Sequence, residues 1–277
     1  MAFDVSVITP ACHAGGTITR AVASVLSQER VSAEVVLCAD DDLDYWALLP
    51  AELREGGRVV LCRTPAPRSG PSAARNIALA LARAQVIAAL DADDAYAPDR
   101  LARLLPAVDK VGVATGPTRE IDARSGTVRV ARPRRDGSEL PLADICELRM
   151  PFSPVFQRSF CPSGWPEIEF AEDVILNVDL ACAAGSYAFV EGADYHYHLS
   201  HGSRSQARDA LERARSGYLQ ILALVKGRDW PEPVRALVAR VFGEDLANVE
   251  RALAAGGAET SWREAVREGA ARDRPGR

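Results

Sequence analysis

Asp91 and Asp93 place two carboxylates on either side of one residue, directly after the apolar run Gln85–Leu90. Carboxylate oxygens are hard ligands that bind Mg²⁺ or Mn²⁺, and such a cation in turn bridges the oxygens of a diphosphate. Paired aspartates in a loop also serve as turn and helix-cap residues, so the motif alone leaves both interpretations open. Its position after a buried strand favours the metal-binding one, whereas Asp94 is expected to help cap the helix that begins near Pro98.

Acidic side chains also follow an earlier apolar run of the chain. Asp40, Asp41 and Asp42 come directly after Glu34–Ala39, and Thr9–Ala11 closes the first apolar run. In an open sheet of parallel strands, ligands bind at the carboxyl ends of the strands, which share one edge. We therefore expect all these residues to gather with the paired aspartates at the edge where a polar ligand binds.

The elements that must position these residues alternate between strands and helices over the first 115 residues. Helical patterns begin with Thr17 as the N-cap, with Pro71 in the first turn of a helix running to about Ala84, and near Pro98. The predicted strands are short apolar runs rich in β-branched residues: Val5–Thr9, Glu34–Ala39, Arg58–Cys62 and Gln85–Leu90. Strands that are apolar on both faces are typical of a parallel sheet covered by helices on both sides. The alternation predicts an α/β fold with a mostly parallel sheet and right-handed crossovers.

The remainder of the chain changes character twice. Residues 116–205 are less regular, with a helix predicted at Glu172–Ala184. Short strands are predicted there at Val128–Ala131, Ala188–Val190 and Asp194–Leu199. From residue 206 the pattern is wholly helical, and Pro231 and Pro233 separate two helices. We interpret this extension as a helical pair packed on the main domain, and a cap, an acceptor-binding element and a homodimer surface stay open.

Composition and charge exclude several classes of protein. Hydrophobic residues make up 48% of the 277-residue chain and charged residues 26%, which excludes global disorder. The formal net charge of −5 argues against nucleic acid as a partner. Because the sequence has no run of about 18 apolar residues and no basic N-terminal segment, we expect no transmembrane segment and no signal peptide. The six cysteines form no CxxC pair, so we expect buried free thiols in a reducing cytoplasm.

Two common nucleotide-binding fingerprints are missing from the sequence. After the first predicted strand, the residues His13–Gly16 (HAGG) stand in place of GxGxxG, and no GxxxxGK[ST] loop occurs. This argues against an NAD dehydrogenase and against a P-loop NTPase. A bound nucleotide therefore needs another way to neutralise its phosphates, and a cation at the paired aspartates is one.

The segment Gly70–Leu101, GPSAARNIALALARAQVIAALDADDAYAPDRL, resembles the signature of family 2 glycosyltransferases with the GT-A fold. In that family a helix of small residues with an ARN motif precedes a strand, a DADD box and a Pro–Leu helix. Val5–Pro10 resembles the first strand of the family, and Ala39–Asp41 resembles the aspartates after its second strand. Phe170–Asp173 resembles its ED motif, and Tyr197–Ser205 resembles its closing segment. The resemblance covers roughly residues 3–205, with the motifs in order.

The resemblance implies a nucleotide-sugar donor, most often a UDP-sugar, bound by the first half of the domain. Asp40 would accept a hydrogen bond from the base, in a role that favours uracil, and Arg75 would approach the base or the diphosphate. Asp91 would bind the ribose and share the metal, Mn²⁺ or Mg²⁺, with Asp93. The backbone groups that would line the base pocket belong to Thr9, Pro10 and Ala11.

The resemblance also implies the residues of the acceptor half. Asp173 would be the general base of an inverting displacement at the anomeric carbon, taking the proton of the acceptor hydroxyl. Glu172 would hold acceptor hydroxyls or brace the site. Without the resemblance, both acids are explained as charges that complement the dipole at a helix N-terminus. The domains implied are residues 1–205 for the glycosyltransferase, divided at residue 115 into donor and acceptor halves, and 206–277 for the helical extension.

The sequence departs from the family pattern in two places. His198 occupies the usual arginine position of the closing segment, and Ser200 stands where the histidine normally falls, with His201 one place later. We expect His198 or His201 near the phosphates. Asp42-Leu43 replaces the usual Gly-Ser after the paired aspartates of the second strand. Two tryptophans near these motifs are expected in the core rather than against a sugar: Trp46 and Trp165.

Three classes of function remain after this comparison. The first is a metal-dependent glycosyltransferase whose acceptor is a polysaccharide, a lipid-linked sugar or a small natural product. The basic turn Arg132–Gly137 would meet an acidic acceptor or an anionic membrane, which would place a cytoplasmic enzyme peripherally at the membrane, although most such turns are simply solvated. The second is a sugar nucleotidyltransferase, for which His13–Thr17 is a poor triphosphate loop. The third is a catalytically idle GT-A scaffold, against which Asp93 and Asp173 argue.

Overall fold

A computed structural model describes residues 2–122, 124–133, 138–147, 152–161, 163–199, 209–255, 262, 265 and 266. Eleven strands lie in these ranges and are numbered in chain order. They are β1 (Val5–Ala11), β2 (Ala33–Ala39), β3 (Val59–Arg63), β4 (Val86–Ala89), β5 (Ala95–Tyr96), β6 (Val113–Thr115), β7 (Thr118–Asp122), β8 (Thr127–Ala131), β9 (Val155–Gln157), β10 (Ala188–Phe189) and β11 (Tyr195–His198). Across the same ranges, no helix has the length and hydropathy that a membrane span requires.

The helices are numbered in the same way. They are α1 (Ile18–Leu26), α2 (Tyr45–Leu48), α3 (Ala51–Arg54), α4 (Pro71–Leu81), α5 (Arg100–Val111), α6 (Leu142–Glu147), α7 (Glu172–Ala184), α8 (Ala210–Val225) and α9 (Glu232–Ala254). Helix α4 starts with its proline in the first turn, after Gly70 at φ +98°, a conformation that glycine adopts without strain. Thr17 is the N-cap residue of α1 as predicted, but its hydroxyl donates to the Ala14 carbonyl instead of capping an amide.

The larger sheet has the order β10-β6-β9-β4-β1-β2-β3. Strand β1 pairs in parallel with β2 and β4, β2 pairs in parallel with β3, and β6 pairs in parallel with β10. Strand β9 alone of the described strands in this sheet runs antiparallel, to β4 and β6. All seven residues of β2 are buried, which is why this strand is apolar without a break from Val35 to Ala39. The predicted α/β fold with a mostly parallel sheet is confirmed.

A second, smaller sheet has the order β5-β11-β7-β8, and the sequence patterns did not predict it as a sheet. Strand β7 (TREID) has no apolar run, and it pairs in parallel with β11, a strand more than 70 residues away along the chain. Strand β8 lies at the edge of this sheet, and its side chains Val128 and Val130 are 53% and 38% exposed. The strand predicted at Val128–Ala131 is thus confirmed, but its valines are not core residues.

Two expectations about the core changed. Trp165 is buried as expected, whereas Trp46 is 39% exposed because it lies on the outer side of the short helix α2. All six cysteines are reduced thiols, and Cys38, Cys146 and Cys161 are buried as predicted. Cys12 is exposed, so the expectation of a buried thiol is wrong there.

The chain packs as two compact units. The first consists of Met1–Pro166 and Leu176–Leu199 and holds both sheets, and the second consists of Glu167–Ile175 and Ser200–Arg277. Within the second unit, α8 and α9 pack against each other. Helix α9 begins between the two prolines that were predicted to separate the helices. The division of the sequence after residue 205 stays a prediction.

A buried carboxylate secures the amino end of the larger sheet. Glu34, at the start of β2, is fully buried and accepts hydrogen bonds from the Ser6 hydroxyl at 2.5 Å and from the Arg83 amide at 2.8 Å. The guanidinium of Arg83 pairs with the other carboxylate oxygen, with Nε at 2.6 Å. The cluster joins β1, β2 and the segment after α4, so the carboxylate that leads a predicted strand has a structural role.

Candidate active site

The carboxyl ends of β1, β2 and β4 lie side by side at one rim of the larger sheet. Ala11, the last residue of β1, is in register with Ala39, and the Asp40 amide donates to the Ala11 carbonyl at 2.7 Å. After β4, the Leu90 amide donates to the Ile8 carbonyl at 3.1 Å. This register brings the ends of the three strands, and the predicted ligand-binding residues that follow them, to the same rim.

Thr9, Pro10 and Ala11 are the last three residues of β1 rather than a loop after it. The predicted strand ended at Thr9, and the structure extends it by two residues. Thr9 is fully buried, and its hydroxyl has no hydrogen-bond partner among the described residues. Pro10 is half-buried and has no amide hydrogen to donate.

The Asp40 carboxylate shapes the segment that leads into α4. Its Oδ1 accepts from the Thr64 hydroxyl and the Ser69 amide, each at 2.8 Å, and its Oδ2 accepts from the Gly70 amide at 2.9 Å. A carboxylate offers about four acceptor positions, so these three donors leave about one for a ligand. Asp40 is buried, and the sequence patterns gave no indication that it holds this segment.

Asp41 fixes the loop in which the sequence departs from the family pattern. Its carboxylate accepts from the His13 amide, from the Leu43 amide at 3.1 Å and from the Tyr45 hydroxyl at 2.9 Å. Burial raises the pKa of Asp41, but these hydrogen bonds stabilise the charged form and the net pKa is lowered. Tyr45, the first residue of α2, is fully buried, and burial raises the pKa of its hydroxyl.

Arg75 and Asp91, predicted separately, contact each other directly. Arg75 lies on α4 with its side chain almost fully buried, and its Nη2 is 2.8 Å from Asp91 Oδ1. The Arg75 guanidinium also lies 6.0 Å from the centre of the Trp165 ring. The Asp91 side chain is 43% exposed, so a ligand at the rim can reach the ion pair.

The same face of α4 holds the backbone around the buried tryptophan. The side-chain amide of Asn76 donates to the Trp165 carbonyl at 2.9 Å, and its oxygen accepts from the Trp165 amide at 2.7 Å. The Ser72 hydroxyl donates to the Pro166 carbonyl at 2.8 Å. The sequence patterns did not indicate this role of Ser72 and Asn76, although their spacing of four residues places them on one helix face with Arg75 and is the signal that could have found them.

Asp93 and Asp94 follow Asp91 in a tight turn, in which the Asp94 amide donates to the Asp91 carbonyl at 3.1 Å. Asp93 is half-buried, and the Arg20 guanidinium donates to its backbone carbonyl. Asp94 is fully buried. Burial raises the pKa of Asp94 well above its usual range, and the charges of Asp93 and Asp91 raise it further.

The expected helix-capping role of Asp94 is wrong. Its carboxylate accepts from the Tyr195 hydroxyl at 2.6 Å and from the His198 amide at 2.8 Å, so it joins the turn to β11 and not to α5. The N-cap residue of α5 is Asp99, whose side chain makes no capping bond. Local sequence could not have shown the contact, because Tyr195 is 101 residues away.

A buried cation lies beneath the turn. Arg100 is fully buried and donates to the carbonyls of Ala193 at 2.5 Å and Ser153 at 2.7 Å. Its guanidinium lies 5.1 Å from the ring centre of Tyr96 and 5.4 Å from that of Tyr195. Hydrogen bonds and two aromatic faces thus compensate for removing this charge from water. Burial lowers the pKa of Arg100.

His196 and His198 lie two residues apart on β11, and both are half-buried. The Asp94 bond to its amide fixes the His198 backbone beside the turn. Burial lowers the pKa of His198, and the nearby Arg20 and His196 lower it further. His201 and the remainder of the closing segment lie outside the described residues, so the structure gives no placement for that histidine.

Glu172 and Asp173 form the first turn of α7 and lie in the second unit, both half-buried. The preceding Phe170 packs against Tyr218 of α8 at 5.9 Å between ring centres. Phe170 also lies so close to Gly217 that a Cβ there would come within 2.6 Å of it. The helical extension therefore positions the segment that leads to the acidic pair, a role that the sequence patterns did not reveal.

The chemistry of the turn fits a divalent cation. No group of three or more His, Cys, Asp or Glu side chains among the described residues forms a complete metal site. Mg²⁺ is commonly held by one or two carboxylates together with substrate phosphates and water, so two aspartates suffice when a diphosphate supplies the other ligands. Asp91 and Asp93 provide such a pair at an accessible rim.

Comparison with known proteins identifies the family of the chain. Residues 6–157, from β1 to β9, match the family profile described as glycosyl transferase family 2. The succinoglycan biosynthesis protein ExoO of Rhizobium meliloti (strain 1021) is 31% identical over 247 residues, which cover 80% of this chain and 69% of that protein.

Solved structures share the fold of the chain. Residues 1–349 of the S. aureus protein TarS, solved in complex with UDP-GlcNAc, are 19% identical to this chain. The structural match covers 90% of this chain and 72% of the TarS chain, with a TM-score of 0.68. The mannosyltransferase PcManGT from Pyrobaculum calidifontis, in complex with GDP-Man and Mn²⁺, is 19% identical and covers 98% of this chain and 81% of its own, with a TM-score of 0.65. The chain therefore belongs to glycosyltransferase family 2 and is a glycosyl-transferring enzyme with the GT-A fold.

Proposed function

We propose that this glycosyltransferase transfers a sugar from a UDP-sugar to an acceptor hydroxyl, with Mn²⁺ or Mg²⁺ at Asp91 and Asp93 and with inversion at the anomeric carbon. The observation that carries the proposal is the Arg75–Asp91 ion pair at the rim, with Asp93 two residues further along the chain. A guanidinium and two carboxylates at one accessible point can bind phosphate oxygens and a cation together. PcManGT, which shares the fold, was solved with GDP-Man and Mn²⁺.

The donor half of the site binds and orients the nucleotide. We assign the base to the end of β1, beside the backbone groups of Thr9, Pro10 and Ala11, where Asp40 offers its remaining acceptor position to a base N–H. Arg75 binds the diphosphate, and Asp91 binds the ribose. A bound cation would stabilise the negative charge that develops on the departing nucleoside diphosphate.

The acceptor half of the site supplies the general base. We assign that role to Asp173, which would take the proton of the acceptor hydroxyl as the hydroxyl oxygen attacks the anomeric carbon. Glu172 would hold acceptor hydroxyls or brace the site. The packing of Phe170 on α8 supports these roles, because it fixes the segment that enters the acidic turn.

The proposal extends to the class of acceptor, the cellular location and the oligomeric state. ExoO is named for succinoglycan biosynthesis, which supports a growing polysaccharide or its lipid-linked precursor as the acceptor class. Peripheral attachment to a membrane would bring the enzyme to such an acceptor. We predict that His198 or His201 lies near the phosphates. We also predict a homodimer formed through the C-terminal helices. Light scattering of the purified chain measures its oligomeric state.

Nucleotide binding tests the proposal directly. Isothermal titration of UDP, GDP, UDP-Glc, UDP-GlcNAc and GDP-Man, each with and without Mn²⁺, should give tight binding for UDP compounds and only with the metal. Binding of GDP compounds alone would contradict the donor assignment. Binding of nucleoside triphosphates alone would favour a sugar nucleotidyltransferase. Proton NMR of the first product gives the anomeric configuration, and retention would contradict the inverting mechanism.

A further inference from the structure

The carboxylate of Asp94 connects two segments that are distant in sequence. Its Oδ2 accepts from the Tyr195 hydroxyl at 2.6 Å, and its Oδ1 accepts from the His198 amide at 2.8 Å. Both partners belong to β11, whereas Asp94 belongs to the turn that carries Asp91 and Asp93. One side chain thus binds both ends of a four-residue strand to the turn.

The Tyr195 hydroxyl extends the connection to the other end of the turn. While it donates to Asp94, it also accepts from the Asp91 amide at 3.3 Å. The hydroxyl therefore lies between the first and the last aspartate of the turn and sets the distance between them. Any displacement of Tyr195 would lengthen bonds to both residues.

The Tyr195 ring is itself held in place. It packs edge-on against Tyr96 at 5.9 Å between ring centres, and the Arg100 guanidinium lies 5.4 Å from its centre. Arg100 in turn is anchored by the Ala193 and Ser153 carbonyls. The hydroxyl can therefore not swing away from the turn without moving a buried cation.

A fully buried carboxylate is costly unless hydrogen bonds compensate for the lost water, and an apolar side chain of similar size would avoid that cost. The hydrogen bonds that Asp94 accepts fix the position of the turn relative to Tyr195 and His198. Such an arrangement suits a site in which Asp91 and Asp93 must stay at a fixed distance from the end of β11.

We propose that Asp94 is a positioning residue that locks the turn carrying Asp91 and Asp93 to β11 through the Tyr195 hydroxyl and the His198 amide. The importance of this positioning for catalysis rests on the proposed function, because the proposed function assigns the cation and the diphosphate to the turn. The lock, by which we mean the hydrogen bonds from the Tyr195 hydroxyl and the His198 amide to Asp94, can be measured without a substrate.

The first test measures the lock. Hydrogen exchange followed by mass spectrometry is compared for the wild type, Asp94→Asn and Tyr195→Phe. We expect exchange to rise together in peptides covering residues 90–97 and 193–199 in both variants. A rise confined to 90–97 would overturn the proposal. Asp99→Asn is the matched control, since its carboxylate pairs with Arg103 on the surface and should leave both peptides unchanged.

The second test measures the consequence for the ligand. Removing hydrogen-bond partners that orient metal ligands commonly lowers metal affinity or activity about 10- to 100-fold. We expect Asp94→Asn to weaken Mn²⁺-dependent UDP binding by about that factor, and Tyr195→Phe to weaken it in the same direction. Because the two residues share one contact, the loss of affinity in the double variant should be smaller than the sum of the losses in the two single variants.

The outcomes separate the inference from the proposed function. If the wild type binds no nucleotide with Mn²⁺, the proposed function fails, and hydrogen exchange alone decides on the lock. If the wild type binds and Asp94→Asn binds equally well, the positioning role is wrong even when the melting temperature falls. Should Asp94→Asn not fold, Tyr195→Phe decides, because it keeps the ring on Arg100 and removes only the hydroxyl.

Discussion

The Nη2 atom of Arg75 lies 2.8 Å from the Oδ1 atom of Asp91, although one residue belongs to a helix and the other follows the next strand. The two residues were assigned to the diphosphate and to the ribose on separate grounds. Their direct contact means that the guanidinium orients the carboxylate before either meets a ligand. The almost fully buried arginine is held in turn beside the Trp165 ring.

Replacing Arg75 by lysine should weaken nucleotide binding. Lysine keeps the positive charge but lacks the planar fork that can bind a carboxylate and a phosphate at once. The loss of one charge-assisted hydrogen bond corresponds to about a 10-fold weaker affinity for UDP in the presence of Mn²⁺. Titration calorimetry measures it, and Arg103→Lys, at an exposed pair with Asp99, should bind like the wild type.

Replacing Asp93 by asparagine should abolish metal-dependent donor binding. The amide carries no charge and is a poorer ligand for a hard cation. Asp42→Asn, at an exposed position after β2, is the matched control and should retain the Mn²⁺ response. Chelation of the metal with EDTA should make the wild type behave like Asp93→Asn, and donor binding that survives EDTA would contradict the metal assignment.

Replacing Asp173 by asparagine should separate binding from turnover. A general base contributes about 10²- to 10⁴-fold to the rate, so kcat should fall by that factor while the affinity for the donor stays near normal. Glu172→Gln should have a smaller effect on kcat. Steady-state kinetics together with donor titrations measure both quantities, and a full rate in Asp173→Asn would show that the base is another group.

Replacing Arg100 by leucine should destabilise the fold. The change leaves the buried carbonyl of Ala193 without this donor, at a cost of about 1–3 kcal/mol, whereas the Ser153 carbonyl loses one donor and keeps the Thr115 hydroxyl at 3.0 Å. Denaturant unfolding measures the loss in free energy. Arg103→Leu, one helical turn away with an exposed ion pair, should change the free energy of unfolding by less than about 1 kcal/mol. Equal losses in the two variants would show that the buried bonds of Arg100 carry no special weight.

Stability should fall as the pH falls through the range in which histidine titrates. Burial lowers the pKa of His196, Arg119 and Arg100 lower it further, and Asp194 opposes them. The unfolded chain then binds a proton at about pH 6.5 while the folded chain does not, so acid favours unfolding. Unfolding midpoints at pH 7.5 and 5.5 should differ less in His196→Gln than in the wild type, and an equal difference would contradict this sign.

Local patterns were sufficient for the donor side of the site. Strand β4 is an unbroken apolar run, as is β2 from Val35 to Ala39, and the acidic residues that follow them lie at the rim where parallel strands end. The capping role given to Asp94 was wrong for the same reason that local patterns succeed elsewhere. They describe neighbours in sequence, whereas the Asp94 partners are more than 100 residues away.

The smaller sheet and the core could be predicted less well. Four of the five residues of β7 are polar, and it is a strand because β8 and β11 pair with it, so no periodicity identifies it. Trp46 reads as a core residue by its type, but α2 is only four residues long and turns it outward. The contact between Phe170 and Tyr218 of α8 likewise joins residues that are distant in sequence, so no local pattern predicts it.

The Ser6–Glu34–Arg83 cluster lies at the opposite end of β1 and β2 from Ala11 and Asp40. Each strand has seven residues, which corresponds to about 20 Å between the cluster and the rim. A substitution that breaks this cluster should therefore lower the stability of the fold while the arrangement of the residues at the rim stays unchanged.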